Sequence, residues 1–484
     1  MNNTLKNLTP AGVFHYFEEI SDIPRASRNT KPIADYLENF AKERSLKYIR
    51  DEYDNVIIEK EASEGCKSTK TLIIQGHTDM VAEKNKNCSH NFANEPLSLK
   101  TDGDYIYADN TTLGGDDGIA VAYALALLDD SELFAPKIKA IFTSNEEIGL
   151  LGATALDAKY LEGDYLLNID SEEEGILLNS CAGGAAFTAS LTLEYKKSSY
   201  KNSFCIDISG LLGGHSGTKI DKYRANAGKI LGNLLLYMDE KVGFDLVSID
   251  GGTKDNAIMR EASAMVLCDD ERLEAVIEEF AGFTRLQYQN TDSNINISVH
   301  HEELKEEAKV LTDKCRDALT ELLSLTPDGV LEFENVDNHY VQTSLNMGII
   351  DFSENTLKVT FLVRSSIDFV KENVLRRLKK ICKLIGAECR VSGEYPGWAS
   401  RNDSELIEIM KSVYLSQYGE EPVVEGVHAG LECGIFYKKN PKLDIVSFGP
   451  NIYDIHTPNE HLSISSTSRV WYYIVEVLMR LSML

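Results

Sequence analysis

Short apolar runs that predict buried strands alternate with helical segments up to about residue 186. The runs TLIIQG (71–76), KIKAIFTS (137–144) and YLLNID (165–170) predict three such strands. Alternation of strands with helices favours an α/β fold with a mostly parallel sheet. Ligands of open α/β sheets bind beyond the carboxyl ends of the strands. The residues that directly follow these runs are therefore the first candidates for a functional site.

Histidine and acidic side chains occupy those positions. His77 and Asp79 follow the first strand, Glu146 and Glu147 follow the second, and Asp170 ends the third. Side chains at positions i and i+2 of an extended segment point the same way, so His77 and Asp79 can share one site. Each signal is weak alone, because a chance His and Asp in a turn, or an acidic pair at a helix start, is common. Their recurrence at successive strand ends favours one shared site.

Two further segments add candidate ligands. NTTLGGDDGIA (110–120) places Asp116 and Asp117 between a glycine pair and a predicted helix, so Asp116 can bind a metal while Asp117 lies near the helix N-terminus. His456 lies in the loop DIHTPNE (454–460). Together the segments supply enough ligands for two metal ions that share one carboxylate. Nitrogen and oxygen ligands without a thiolate suit zinc, manganese or cobalt.

The pattern changes at about residue 187 and returns to α/β after Trp398. The strands and helices between these points predict two βαββαβ halves, with the strand near Ile295 to His300 shared or duplicated between them. We therefore predict a catalytic two-metal domain formed by residues 1–186 and 400–484. Residues 187–399 are predicted to form an inserted α+β lid domain of two ferredoxin-like units. An ordinary α+β domain without a repeat is the alternative.

Amino-acid composition limits the classes of binding partner and the cellular compartment that we expect for this chain. The chain has 76 acidic and 49 basic residues and a formal net charge of -27, which argues against binding to nucleic acid. Nine cysteines without a CxxC pair are typical of reduced thiols. The N-terminus lacks the apolar segment of a signal peptide, and no apolar stretch is long enough to span a membrane. These features predict a cytoplasmic protein.

The whole chain resembles the aminoacyl-histidine dipeptidases (Xaa-His dipeptidases), a family of co-catalytic zinc metallopeptidases. The segments that carry the resemblance are YFEEISDIPRAS, QGHTDMV, TTLGGDDGIA, SNEEIGLLGA, NIDSEEEG, GLLGGHSGTKIDKYRANA, YPGW and HAGLECG. Two segments depart from the family pattern: GGDD stands where GADN is usual, and HTPNE stands where HSPDE is usual. Neither departure removes a candidate ligand.

The resemblance implies a role for each candidate in the metal-binding segments. His77, Asp116, Glu147, Asp170 and His456 would bind two divalent ions, with Asp116 as the bridging ligand. Zinc is the expected metal, and cobalt and manganese are alternatives. Asp79 would orient His77, and Glu146 would be the general base for a metal-bridging water that attacks a dipeptide. The resemblance also implies a cis peptide bond between Asp116 and Asp117.

The remaining candidates concern the substrate. The resemblance makes His215, in GGHSG, a substrate or oxyanion contact from the lid, whereas an incidental histidine in a glycine-rich turn is the alternative. Arg364 would hold the substrate carboxylate or else form a surface ion pair. Asn256 and Glu432 are weaker candidates for substrate contact. His300 and His301 lie outside every recognised motif and are interpreted as structural or surface residues.

Two other functions remain open at this point. An amidohydrolase of the same fold that removes an acyl group from an N-acyl amino acid is one, although HAGLECG and the doubled lid favour a dipeptidase. A non-catalytic binding homologue is the other, and it should have lost a ligand or the base, whereas all are present. Small dipeptides are the expected substrates, and a homodimer is compatible with the resemblance.

Overall fold

The computed structural model describes residues 4–303, 309–335 and 340–484. The helices of the described residues are α1 (Ala11–Ser21), α2 (Lys31–Glu43), α3 (Gly115–Asp129), α4 (Leu151–Ala155), α5 (Ala227–Lys241), α6 (Leu273–Gln287), α7 (Asp313–Leu325), α8 (Asp368–Ile385), α9 (Glu405–Tyr418), α10 (Glu432–Lys439) and α11 (Ile464–Met483). The strands in the first half of the chain are β1 (Lys47–Arg50), β2 (Val56–Lys60), β3 (Thr71–His77), β4 (Leu99–Asp102), β5 (Tyr105–Ala108), β6 (Lys137–Thr143), β7 (Tyr165–Asn168), β8 (Ile176–Cys181), β9 (Gly183–Thr192), β10 (Tyr195–Lys197), β11 (Ser203–Ser209) and β12 (Gly214–His215). The later strands are β13 (Asp245–Gly251), β14 (Ala257–Ile258), β15 (Ala262–Leu267), β16 (Asn296–His301), β17 (Lys309–Leu311), β18 (Gly329–Asn335), β19 (Tyr340–Phe352), β20 (Thr356–Ser365), β21 (Glu388–Tyr395), β22 (Val423–Val427), β23 (Asp444–Ser447), β24 (Ile452–Tyr453) and β25 (His461–Ser463).

The chain forms two compact units. The first comprises Met1–Ser180, Trp398–Gly426 and Leu431–Leu484, and the second comprises Cys181–Gly397 and Val427–Gly430. The first unit therefore ends six residues before the predicted boundary at residue 186. The four residues Val427–Gly430 also join the second unit, which the sequence interpretation did not anticipate.

A mixed eight-stranded sheet forms the centre of the first unit, in the order β1-β2-β6-β3-β7-β23-β8-β22. The neighbouring strands β6, β3, β7 and β23 run parallel, whereas β1, β2 and β8 pair antiparallel. The mostly parallel character expected from the sequence thus describes the central strands. The fold class is α/β, as predicted.

Helix α3 explains how the parallel strands are covered. Every residue from Gly118 to Leu128 is buried, so the helix is apolar on all sides. A helix of this kind needs apolar neighbours around its whole circumference. Helix α3 contacts β3 on one side and α1 on another. Its first turn consequently lies beside the end of β3.

The second unit contains a nine-stranded antiparallel sheet, with eight strands in the order β16-β11-β15-β13-β19-β20-β9-β21 and β18 paired to β19. The strands β16-β11-β15-β13, with α5 and α6, form one ferredoxin-like half. The strands β21-β9-β20-β19, with α7 and α8, form the other. The strand near Ile295 to His300 belongs to the first half alone, so the expectation that both halves share it is wrong. The second half begins instead with β9, and the first half is inserted between β9 and α7.

No helix among the described residues combines the length and the apolar character needed to cross a membrane.

Candidate active site

Three parallel strands of the first unit end at the same edge of the sheet. His77 is the last residue of β3, and its Cα pairs with that of Thr143 at the end of β6. Gln75 of β3 pairs with Asn168 at the end of β7. The loops that follow β6 and β7 therefore bring Glu146, Glu147 and Asp170 to the same side as His77.

Asp116 lies between the two candidate histidines. Its Oδ1 is 3.1 Å from Nε2 of His77, and its Oδ2 is 3.1 Å from Nε2 of His456. Nε2 of His456 is also 3.1 Å from Oε2 of Glu147, and Nε2 of His77 is 3.8 Å from Oδ1 of Asp170. One carboxylate thus has a different imidazole at each of its oxygens.

These atoms form two ligand groups that share Asp116. His77, Asp116 and Asp170 form one group, and Asp116, Glu147 and His456 form the other, with the ligand atoms of each group within 4.8 Å of one another. Adjacent nitrogen and oxygen ligands of a tetrahedral zinc ion lie about 3.4 Å apart. Oε1 of Glu147 is buried and has no hydrogen-bond partner among the described residues. The donor set and its spacing therefore fit two metal ions with one bridging carboxylate.

The electrostatics of the centre also favour bound cations. Burial, with a contribution from nearby carboxylates, raises the pKa of Glu146 to about 8 and that of Asp170 well above its usual range. Hydrogen bonds that His456 donates to the carboxylates of Asp116 and Glu147 raise its pKa to about 11. Burial opposes a positive charge on His77, yet hydrogen bonds with Asp116 and Asp79 still raise its pKa. The two ligand groups contain more carboxylates than imidazoles, so a positive charge is strongly favoured between them.

Asp79 connects the imidazole of His77 with Glu146. Nδ1 of His77 lies 3.0 Å from the carbonyl oxygen of Asp79 and 3.6 Å from its carboxylate Oδ1. The backbone N–H of Glu146 donates to the same Oδ1 at 2.9 Å, and the Ser27 hydroxyl donates to Oδ2 at 2.8 Å. Asp79 is fully buried, so these contacts fix its position. Its placement is compatible with orienting His77 and also holds the backbone of Glu146.

The turn before helix α3 is held by residues far away in the sequence. The Glu460 carboxylate accepts the backbone N–H groups of residues 113 to 116 at distances between 2.7 and 3.3 Å. The buried Arg25 guanidinium donates to the carbonyl oxygens of Gly114 and Thr78. A Cβ at Gly114 would lie 2.5 Å from this guanidinium, so glycine is required there. This turn fixes the backbone of Asp116.

The peptide bond between Asp116 and Asp117 is cis, as the resemblance implied. The Asp117 carboxylate accepts the backbone N–H of His77 at 3.1 Å and is buried. The expected place of Asp117 near the helix N-terminus is therefore correct, but its hydrogen bond goes to β3. The two adjacent aspartates thus have different surroundings: Asp116 lies among the candidate metal ligands, and Asp117 holds the end of β3.

Glu432 lies beneath the centre in a fully buried position. Its Oε2 accepts hydrogen bonds from Nε2 of Gln75 at 2.6 Å and from the Thr143 hydroxyl at 2.7 Å. Burial raises its pKa to about 7. Its side chain contacts strands β3 and β6, and its suggested contact with the substrate stays a prediction.

His215 of the second unit has a defined tautomer. It pairs through β12 with Ala257 of β14, and its Nδ1 accepts the backbone N–H groups of Gly217 and Thr218 at 3.3 and 3.2 Å. Burial and the nearby Arg364 lower its pKa, so the ring is neutral. A neutral imidazole that accepts at Nδ1 carries its proton on Nε2. His215 can therefore act as a hydrogen-bond donor through Nε2.

Arg364 is buried beside two other polar side chains of the second unit. Its Nη1 donates to the Tyr395 hydroxyl at 2.9 Å, and its Nε has no hydrogen-bond partner among the described residues. Nε2 of His428 lies 2.7 Å from the Ser344 hydroxyl. Burial and the charge of Arg364 lower the pKa of His428 to about 3. A buried guanidinium without a carboxylate partner in the described part of its unit suits an anionic ligand.

Asn256 lies next to the His215 loop. Its carbonyl oxygen accepts the backbone N–H of Ser216 at 2.9 Å, and its side chain is exposed. The second unit thus brings His215 and Asn256 to the same loop region. The role of the Asn256 side chain stays a prediction.

Comparison with known proteins places the chain in a family. The sequence model of peptidase family M20/M25/M40 matches residues 73–480. The chain belongs to peptidase family M20/M25/M40. Members of this peptidase family are peptide hydrolases, so the ligand groups described above lie in the first unit of a hydrolase.

Two relatives within the M20/M25/M40 family match the chain along nearly its full length. The cytosol non-specific dipeptidase of Escherichia coli (strain K12) is 34% identical over 478 residues, covering 98% of both chains. The structure of aminoacylhistidine dipeptidase from Vibrio alginolyticus has a TM-score of 0.93 and 34% identity, and 98% of each chain is covered. The resemblance inferred from the sequence segments is thereby confirmed.

A more distant similarity concerns the fold alone. Aminopeptidase PepT from Bacillus cereus has a TM-score of 0.57 and 15% identity, with 98% of this chain and 99% of that chain covered. The M20/M25/M40 fold therefore extends to proteins with little sequence similarity to this chain.

Several residues that contact or lie beside candidate site residues of their own unit were not assigned from the sequence. Arg25 and Ser27 lie in YFEEISDIPRAS, Glu460 ends DIHTPNE, and His428 begins HAGLECG. All three segments were singled out, but no local pattern assigned these four residues a role. Their partners are distant in the chain, such as the turn at residues 113–116 for Glu460. The sequence segments indicated where such residues lie, and the tertiary contacts show which groups they bind.

Proposed function

We propose that this M20/M25/M40 peptidase is a dipeptidase that uses two divalent metal ions, with zinc as the expected metal. The observation that carries the proposal is the pair of ligand groups that share Asp116; Glu146 lies outside this pair and forms a further group with His77 and Glu147. The 34% identical relatives named as dipeptidases support the choice of substrate. A cytoplasmic location belongs to the same proposal, because the Escherichia coli relative is named a cytosol enzyme.

The metal ligands in this proposal are His77, Asp116, Glu147, Asp170 and His456. When bound, the two ions polarise the scissile carbonyl group and lower the pKa of a water molecule. Glu146 accepts the proton of the attacking water and delivers it to the leaving amine. The raised pKa of Glu146 is compatible with both roles, since the carboxyl group can hold a proton near neutral pH. Asp79 fixes the backbone of Glu146 through its N–H.

Two residues of the second unit, Arg364 and His215, have substrate-binding roles in this proposal. Arg364 binds the C-terminal carboxylate, because its guanidinium is buried and its Nε has no partner in the described residues. His215 donates through Nε2 to the oxygen that becomes negative as the carbonyl is attacked. Binding of the substrate carboxylate by Arg364 would favour substrates with a free C-terminal carboxyl group over amides.

The substrate class is tested with a panel of matched compounds. Dipeptides with varied second residues, the corresponding tripeptides, dipeptide amides and N-acyl amino acids are incubated with enzyme supplied in turn with zinc, cobalt and manganese. We expect hydrolysis of dipeptides, with at least a tenfold lower kcat/KM for the tripeptides and amides. Preferential hydrolysis of N-acyl amino acids would replace the proposal with an amidohydrolase. No hydrolysis with any metal would indicate a binding protein.

A further inference from the structure

A second group of potential metal ligands lies in the second unit, on strands β11 and β16. Cys205 of β11 and His300 of β16 are paired directly across the antiparallel ladder. Asp207 is two residues beyond Cys205, so its side chain points to the same face of the sheet. On this face the neighbouring strand β15 places Met265 opposite Cys205. One sheet face therefore presents a thiol, an imidazole, a carboxylate and a thioether side by side.

The distances among three of these groups match those around one ion. Nδ1 of His300 is 3.5 Å from Oδ2 of Asp207, and Sγ of Cys205 is 3.7 Å from the same oxygen. The three ligand atoms lie within 4.8 Å of one another. Around a tetrahedral zinc ion, adjacent nitrogen and oxygen ligands are about 3.4 Å apart, and adjacent sulfur and oxygen ligands are about 3.6 Å apart. Little movement is needed to bring all three atoms to one ion.

The local charge also attracts a cation. Burial, together with the carboxylates of Asp207 and Glu302, raises the pKa of the Cys205 thiol to about 11. Asp207 forms its only ion pair within the described residues with His300. The hydroxyl and carbonyl groups of Ser203 hold the backbone of Glu302 beside β11. Two carboxylates thus flank the thiol, and a divalent ion would offset their charge.

We propose that Cys205, Asp207 and His300 form a further metal site for one zinc ion, with the Glu302 carboxylate as the fourth ligand. The site lies in the second unit and shares no residue with the ligand groups around Asp116. On binding, the Cys205 thiol releases its proton to solvent and the neutral His300 ring donates the lone pair of Nδ1. The bound ion joins the edge strand β16 to β11. The proposal does not depend on the peptidase activity.

The thiolate gives this site a signature that the other ligand groups cannot produce. A cobalt ion bound by a thiolate shows an intense ligand-to-metal charge-transfer absorption in the near ultraviolet, whereas a site of histidines and carboxylates does not. The full-length enzyme is first freed of metal with a chelator and is then titrated with Co²⁺ under reducing conditions. We expect the thiolate band to grow until one cobalt ion per chain is bound at Cys205 and then to saturate.

Variants assign the band to Cys205. Cys205→Ser should abolish the band. His300→Ala should weaken cobalt binding by about tenfold or more, because losing even a residue that only hydrogen-bonds to a metal ligand lowers metal affinity by about that factor. Cys389→Ser removes an exposed cysteine of the same unit and should leave the band unchanged. All three variants should keep dipeptide hydrolysis, which also shows that they are folded. Absence of the band in the unaltered protein, or its survival in Cys205→Ser, would overturn the proposal.

Discussion

Glu146 and Glu147 are adjacent in the sequence but have different surroundings. Oε2 of Glu147 is 3.1 Å from Nε2 of His456, and its other oxygen is buried without a partner in the described residues. The backbone of Glu146 is tied to Asp79, and its carboxylate lies 3.9 Å from Nε2 of His77. Consecutive side chains diverge, so one carboxylate of the pair can bind metal while the other stays available for proton transfer.

Glu146→Gln should retain both metal ions and lower kcat by about 10²–10⁴, because the amide cannot accept the proton of the attacking water. Metal analysis of the purified variant, combined with kinetics on the best dipeptide, measures both quantities. Glu147→Gln is the matched control and should lose metal, because it removes a ligand charge. Loss of a metal ion from Glu146→Gln, or near-normal turnover, would show that the two roles are assigned wrongly.

His215 provides a second prediction at the residue scale. Its proton is on Nε2, since Nδ1 accepts two backbone N–H groups. Removing one donor to a developing oxyanion typically costs about 10²–10³ in kcat. We expect His215→Ala to lower kcat by this order without a change in metal content. His301→Ala, at an exposed position of the same unit, is the control and should behave as the unaltered enzyme. Equal kcat values for the two variants would exclude a catalytic His215.

His428 predicts a pH dependence of stability. Burial and the charge of Arg364 lower its pKa to about 3, below the value near 6.5 expected in the unfolded chain. The unfolded state therefore binds the proton more tightly, so His428 stabilises the fold above about pH 6.5 and this contribution is lost as the pH falls towards 3. His428→Gln should show a smaller drop in Tm between about pH 7 and about pH 4.5. A drop as large as that of the unaltered protein would contradict the low pKa.

At the scale of secondary structure, the close approach of β3 and α3 determines where the candidate ligands lie. A Cβ at Gly76 would be 2.4 Å from Cβ of Ala120 and 2.6 Å from Oδ2 of Asp117. Asp117 in turn accepts the N–H of His77. Any side chain at position 76 must therefore push α3 away from the strand that carries His77.

Gly76→Ala should lower the free energy of unfolding by about 1–3 kcal/mol, the usual cost of overpacking, and should weaken metal binding. Thermal unfolding and metal analysis measure the two effects. Gly282→Ala in helix α6 is the control, because nothing lies within 4 Å of the added Cβ. It should be neutral or stabilising by up to about 1 kcal/mol. If both variants were equally stable and bound metal equally well, the packing argument would be wrong.

The strands that carry the candidate ligands were predictable because they are buried on both faces. Residues 72–77 of β3 and 138–143 of β6 are all buried, which produces the continuous apolar runs seen in the sequence. Strands β9 and β19 were not recognised. Their sequences, GGAAFTASLT and YVQTSLNMGIIDF, include glycines and polar residues and alternate weakly. Strand β9 pairs with β20 between residues that are 164 to 182 positions apart, and no local pattern reveals such a contact.

At the scale of the whole molecule, the candidate ligands were predicted from segments spread over the chain, from His77 to His456. What could not be predicted is the set of residues that support them. Arg25 and Glu460 contact backbone atoms of distant segments, and Ser27 donates to the Asp79 carboxylate; these contacts exist only after folding. The first compact unit ends at Ser180 and resumes at Trp398, whereas boundaries at residues 186 and 400 were predicted, and Val427–Gly430 joins the second unit.

The central claim is that two metal ions bind on either side of Asp116. Anomalous scattering from a crystal of the zinc-loaded protein, recorded at the zinc absorption edge, tests it most directly. We expect two peaks in the first unit, one in contact with His77 and Asp170 and one in contact with Glu147 and His456, both bound by the carboxylate of Asp116. A single peak there, or two peaks that do not share Asp116, would contradict the account.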